Sequence, residues 1–188
     1  MPAPTDIGFE SIKRLGRYLL GTPRLIQQFE FQDAKSVAMP GIKREFEEDS
    51  TLMHNPTEYR ALAARANYLA QDRVDIQYAA KEISRNMSSP ENADWCKSKR
   101  LGRYLKGEPR LIQMLCFQAS QSKIIGWSDT DHAGCTETRK STSGGIIQIG
   151  GHCIKTWSTT QSVIALSLGE AEYYGLVKRL VRVSVSEA

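Results

Sequence analysis

The sequence predicts an α/β protein of the α+β kind, with helices in its first part and a sheet closed by one helix in its last. Three observations carry this. Residues 57–106 place apolar side chains at helical spacing, in three runs separated by breakers. From residue 109 the pattern turns to short strand-like runs, two of them joined at Gly150-Gly151. After these, Ser167-Leu168-Gly169-Glu170 opens a helix as a capping box, with Ser167 at the N-cap and Glu170 reaching back to the cap amide.

The elements follow in order. Residues 1–35 contain a copy of a later segment. Lys13–Leu19 repeats as Lys99–Leu105 and Pro23–Gln27 as Pro109–Gln113, at a constant offset of 86 (99 − 13). Two copies separated by unrelated sequence do not make a solenoid, which needs at least three stacked units; residues 1–35 read as a duplicated fragment. Residues 36–56 are polar and irregular, with a turn signal at Met39-Pro40-Gly41 and an acidic run at Glu45–Ser50, and read as a linker.

Residues 57–122 form a helical segment. Its first helix carries Tyr59, Leu62, Ala63, Ala66 and Leu69 on one stripe. The second spans about Val74 to Met87, with Ile76, Ala79, Ala80 and Ile83 inward, and Ser88-Ser89-Pro90 breaks it. The third spans about Asn92 to Lys106, buries Trp95, Leu101 and Leu105, and has Gly107 as its C-terminal cap. Gly102 within it costs about 1 kcal/mol relative to Ala. Strands are expected at Leu111–Phe117, Lys123–Asp129, Gly144–Gly150 and His152–Ser158.

Composition bounds the function. The 188 residues are 40% hydrophobic and 24% charged, which excludes collagen-like, mucin-like and disordered classes. No run approaches 18 apolar residues, so no membrane span is expected. The first residues lack a basic stretch followed by an apolar one, so no signal peptide is expected. The net charge of +4 is too mild to diagnose nucleic acid. Cys96, Cys116, Cys135 and Cys153 make no C-x-x-C pair, and the three histidines supply no zinc spacing. Reduced thiols and an intracellular location, cytoplasmic or nuclear, are the expectation.

Two features point to chemistry. Asp129 ends an apolar strand, and Glu172 lies in the first turns of the last helix. Hard oxygen ligands of this kind suit Mg²⁺ or Mn²⁺. Spacing alone leaves the pair ambiguous. Glu172 is expected to point toward the sheet with Leu168, Leu176 and the Tyr173–Gly175 neighbourhood, whereas Glu170 has the structural job of the cap. The second feature is Arg100 and Arg103 on adjacent turns beside Tyr104. Its ordinary reading is a solvated helix face, and its alternative is contact with a nucleic-acid backbone.

The surrounding motifs are more specific. Trp127-Ser-Asp-Thr-Asp-His-Ala-Gly134 is followed by Arg139-Lys-Ser-Thr-Ser-Gly-Gly145, then Ile154-Lys-Thr-Trp-Ser158, then Ala165-Leu-Ser-Leu-Gly-Glu-Ala-Glu-Tyr173. This order resembles the ribonuclease H domain of copia-type long-terminal-repeat retrotransposon Pol polyproteins. Glu58-Tyr-Arg-Ala-Leu62, Asn67-Tyr-Leu-Ala70, Arg73-Val-Asp-Ile76 and Lys99–Gly107 resemble the connection segment that precedes it. The resemblance implies that residues 57–122 are a reverse transcriptase connection segment and 123–188 a partial ribonuclease H-like domain with a mixed sheet. It implies metal-dependent hydrolysis of RNA in an RNA–DNA hybrid, with Asp129 and Glu172 as catalytic, metal-binding acids. Arg139 and Lys140 join Arg100 and Arg103 as candidate nucleic-acid contacts.

The departures imply loss. The family uses four acids, and the sequence leaves the pattern near Lys178 before the last two. His132 stands where Trp is common, and Leu168-Gly169 replaces small hydroxyl residues. Weak or absent Mg²⁺ binding and no activity of the chain alone are therefore expected. The first strand is left with an unpaired edge that invites the remaining polyprotein or self-association. The alternatives are a non-catalytic nucleic-acid-binding module and a functionless transposon relic.

Overall fold

The computed structural model describes residues 26–27, 33–41, 51–52, 55–114, 118 and 123–187. The chain divides into two compact units, residues 1–112 and 113–188. Of the duplicated fragment, all but Ile26, Gln27 and the stretch from Asp33 lies outside the described residues, as does the acidic run.

Over residues 56–107 the first unit packs three α-helices together. Helix α1 spans Pro56–Leu69, with Pro56 in its first turn and the Asn55 side chain accepting from the Glu58 amide at 3.3 Å. Its buried residues are Tyr59, Leu62, Ala63, Ala66 and Leu69, the stripe read from the sequence. The expected second helix starts later and ends earlier. Val74–Ile76 is a 3₁₀ turn, and α2 spans Gln77–Arg85. The buried Arg73 guanidinium grips Asp75 two residues on, at 2.9 and 2.6 Å, and holds the chain in a tight turn ahead of the regular helix.

Helix α3 spans Asn92–Gly107 and opens on a reciprocal cap between Glu91 and Asp94. The three helices enclose Tyr59, Leu62, Ile76, Ile83, Leu101 and Leu105. Each such burial contributes about 1.5–3 kcal/mol, which outweighs the glycine at position 102. Trp95 packs on the edge of this core and is only half-buried. Residues 33–41 have no regular structure, as a linker would not, yet they are held to the helices. Lys106 Nζ and Arg103 Nε donate to the Ala34 and Lys35 carbonyls at 2.8 and 2.7 Å, and Val37 packs against the core. The strand expected from Leu111 is absent over Leu111–Met114, where Ile112 and Met114 are exposed; Leu115–Phe117 lies outside the described residues.

In the second unit, β1 (Ile124–Thr130), β2 (Thr142–Ile149) and β3 (His152–Thr160) form an antiparallel sheet in that order, followed by α4 (Leu168–Glu187). Gly150 takes the left-handed backbone that the tight β2–β3 hairpin requires, with φ +57°. β1 and β2 pair without interruption from Ile124↔Ile149 to Thr130↔Ser143, and the β2–β3 register shifts once between Ile147 and Gln148.

Helix α4 packs on one face of this sheet through Ala171, Gly175, Lys178, Arg179 and Arg182. Arg179 donates to the Gly126 carbonyl at 3.2 Å, Lys178 to the Thr159 hydroxyl, and Arg182 lies 4.9 Å from the Trp157 ring. Burial lowers the Lys178 and Arg182 pKa values, and the charge of Arg182 adds to the effect at Lys178. This corrects the expected orientation of the helix. Leu168, Tyr173 and Leu176 are exposed, because the close approach at Gly175 turns Ala171, Gly175 and the basic side chains of Lys178, Arg179 and Arg182 toward the strands rather than the leucines.

Candidate carboxylate site and basic residues

Thr130 fixes the sidedness of β1. Its hydroxyl lies 3.3 Å from that of Ser143 and against Gly175, so Thr130 faces α4. Successive strand residues point to opposite faces. Asp129 and Trp127 therefore point to the face that α4 leaves open. The Trp127 indole donates to Gln148 on β2 at 3.3 Å across that open face. Asp129 is exposed.

Glu172 follows the fully buried Ala171 by 100° around the helix and is exposed. It flanks the sheet contact and does not enter it. Among the described residues, no group of three or more His, Cys, Asp and Glu side chains is arranged to hold a metal ion.

The neighbouring acids have identifiable work. Glu170 behaves as the capping pattern requires: its amide donates to Ser167 Oγ at 3.1 Å, and its carboxylate accepts from the Leu166 amide at 2.7 Å. Asp131 organises the β1–β2 loop. Its Oδ1 accepts from the Thr142 amide at 2.6 Å, and a Cβ at position 134 would stand 2.0 Å from its Oδ2. A larger residue at position 134 would push this carboxylate from its place. Ser141 accepts from the Ala133 amide at 3.0 Å, and Cys135 and Lys140 share a backbone bond at 3.2 Å. No sequence reading anticipated this loop; the D-x-D spacing with Gly134 is the signal that marks it.

The basic residues fall into different settings. Arg103 spends its Nε on the Lys35 carbonyl, and Arg100, on the same helix, is half-buried. On the β1–β2 loop Arg139 is exposed and Lys140 half-buried. Arg139 has φ +56°, a conformation uncommon for a residue that is not glycine.

The chain is similar to several known proteins. It is 36% identical over 65% of its length to the retrovirus-related Pol polyprotein from transposon RE2 of Arabidopsis thaliana, covering 8% of that protein. It is 35% identical over 65% of its length to the corresponding polyprotein from transposon RE1 of the same plant, again covering 8%. It is 33% identical over 66% of its length to secreted RxLR effector protein 161 of Plasmopara viticola, covering 87% of that protein. The chain thus spans less than a tenth of the two polyproteins. No family model matches it, and no solved structure matches it.

Proposed function

The chain belongs to the family of retrovirus-related Pol polyproteins from copia-type transposons, and from that membership we propose that residues 123–187 derive from a ribonuclease H module that no longer hydrolyses RNA. The reading rests on the order of elements: a strand with Asp129 as its next-to-last residue, a hairpin pair, then a capped helix carrying Glu172 in its first turns. This is the order in which the motif words occur.

Such a module employs divalent metal to activate water and stabilise the leaving oxygen of a phosphodiester. The donor set here does not fit that centre. Asp129 points to the open face of the sheet, Glu172 rises from the helix that covers the other face, and no third acid among the described residues joins them. Mg²⁺ or Mn²⁺ binding is accordingly proposed to be weak or lost, and no hydrolytic step is derived through it.

Incubating the chain with a labelled RNA–DNA hybrid and Mg²⁺ tests the proposal. Cleavage no faster than that of Asp129→Asn is the expected result. Robust cleavage abolished by both Asp129→Asn and Glu172→Gln would overturn it.

The hybrid itself remains the proposed ligand. The exposed Arg139 beside Lys140 on one loop favours retained backbone contact. Affinity should then fall steeply between low and moderate salt, because bound phosphates release counterions.

A further inference from the structure

The positive charge of the chain is concentrated on one helix and its exit. Residues 97–110 carry six basic side chains and one acidic one, a net +5. The whole chain carries +4, so the remainder sums to −1 (4 − 5). Helix α3 buries Asp94, Ser98, Leu101 and Leu105 on its inner side. Lys99, Arg103 and Lys106 lie on the opposite side, four and three residues apart along about 10 Å of helix. A row of cations along one helix face is the electrostatic pattern of a polyanion contact.

That face is covered by the chain itself. Lys106 Nζ donates to the Ala34 carbonyl at 2.8 Å, and Arg103 Nε to the Lys35 carbonyl at 2.7 Å. Ser36 fits against the bare backbone of Gly107: a Cβ on Gly107 would stand 2.9 Å from Ser36 Cβ. Val37 packs on the helical core, and Gly41 lies over Ala79 of α2. Residues 34–41 thus form a strap, with two of the three cations of the row holding its backbone oxygens.

We propose that the outer face of α3 is a nucleic-acid-backbone contact and that residues 34–37 are its built-in occupant, which a nucleic acid displaces. Nucleic acid as the partner rests on the family reading above, and the face is a second contact beside the Arg139–Lys140 loop. The relative strength of the bonds supports displacement. A carbonyl is a neutral acceptor, and the Lys35 carbonyl takes the Nε of Arg103. A phosphate is charged and matches two N–H groups of a guanidinium at once. Phosphates also repeat evenly along a strand, as the cations do along the helix. Val37 and the fit of Ser36 on Gly107 hold the strap against that competition and set its threshold.

Gly107→Ala tests this without altering a basic head group or the core. Gly107 closes α3 with a backbone that alanine adopts, so the added methyl meets only Ser36 and should push the strap off the helix. Fluorescence anisotropy of the full chain with a labelled RNA–DNA hybrid should show binding tightened about tenfold at low salt. The plot of log affinity against log salt should steepen by about 2, close to one for each freed cation. Adding Ser36→Gly removes the opposing Cβ and should restore the parent values. Adding Arg103→Gln with Lys106→Gln should abolish the gain. Val37→Ser, which loosens the apolar anchor, should act in the same direction as Gly107→Ala, with an unchanged far-UV circular dichroism spectrum.

Unchanged affinity in both Gly107→Ala and Val37→Ser overturns the proposal, as does a gain that survives Arg103→Gln with Lys106→Gln. Equal tightening toward polyglutamate also overturns it and assigns the face to acidic proteins. Binding that falls with Arg139→Gln and Lys140→Gln while every strap variant matches the parent leaves the loop reading intact and removes this one alone.

Discussion

Gly175 of α4 lies so close to Thr130 of β1 that a Cβ built on it would stand 2.2 Å from the Thr130 hydroxyl oxygen. This contact sets how the helix lies on the sheet. An alanine in a helix ordinarily gains about 1 kcal/mol over glycine. Here the clash with a buried hydroxyl outweighs that gain, and Gly175→Ala should lose about 1–3 kcal/mol. Urea denaturation measures the loss. Adding Thr130→Ala should return part of it, since removing the hydroxyl opens the space; no recovery in the double variant would refute the steric explanation.

A second prediction concerns acid stability. Burial alone would raise the Asp75 carboxyl. Hydrogen bonds from Arg73 and Tyr104, with the charge of Arg73, hold it below its ordinary value of 3.8. A depressed folded value means that the unfolded chain binds the proton more readily. The stabilisation is therefore complete above the ordinary value and is lost as pH falls through the depressed one. Asp75→Asn should be less stable than the parent at neutral pH. The gap should close in strong acid, as thermal melts across pH will show.

Asp94 is expected to be the costliest polar residue of the helical unit. It is 1% exposed and accepts from Asn86 Nδ2 at 3.1 and 3.0 Å, from the Glu91 amide at 3.2 Å and from Lys97 Nζ at 2.8 Å. Asp94→Ala strands these donors and should cost about 3 kcal/mol. Exposed Glu137→Ala, measured in the same denaturation series, should cost under about 0.5 kcal/mol.

Ser167→Ala removes the hydroxyl that accepts from the Glu170 amide. A loss of about 1 kcal/mol is expected. Amide hydrogen exchange should show it first in the opening turn of α4, and a uniform change along the helix would argue against a capping role.

The stripes of α1 and α2 were legible because burial at 3.6-residue spacing leaves an unambiguous pattern, and Tyr59, Leu62, Ile76 and Ile83 all lie in the core. The capping box at Ser167 and the hairpin at Gly150 were legible for the same kind of reason: each is a local hydrogen-bond or backbone requirement. Leu111–Met114 misled because β-propensity reflects the tertiary setting of a residue, which a local pattern does not carry. Val74 misled because the grip of Arg73 on Asp75 depends on burial of the guanidinium, which no local pattern records.

The sidedness of the candidate site lies beyond the local pattern. Sequence alone determined that Asp129 lies near the end of a strand, that Glu172 lies in the first turns of a helix and that their surrounding motifs belong to copia-type Pol polyproteins. Tertiary structure decided that the two carboxylates serve different faces. The helix could approach the sheet only where Gly175 left room for Thr130, and once Thr130 faced the helix, the alternation of the strand turned Asp129 away from it.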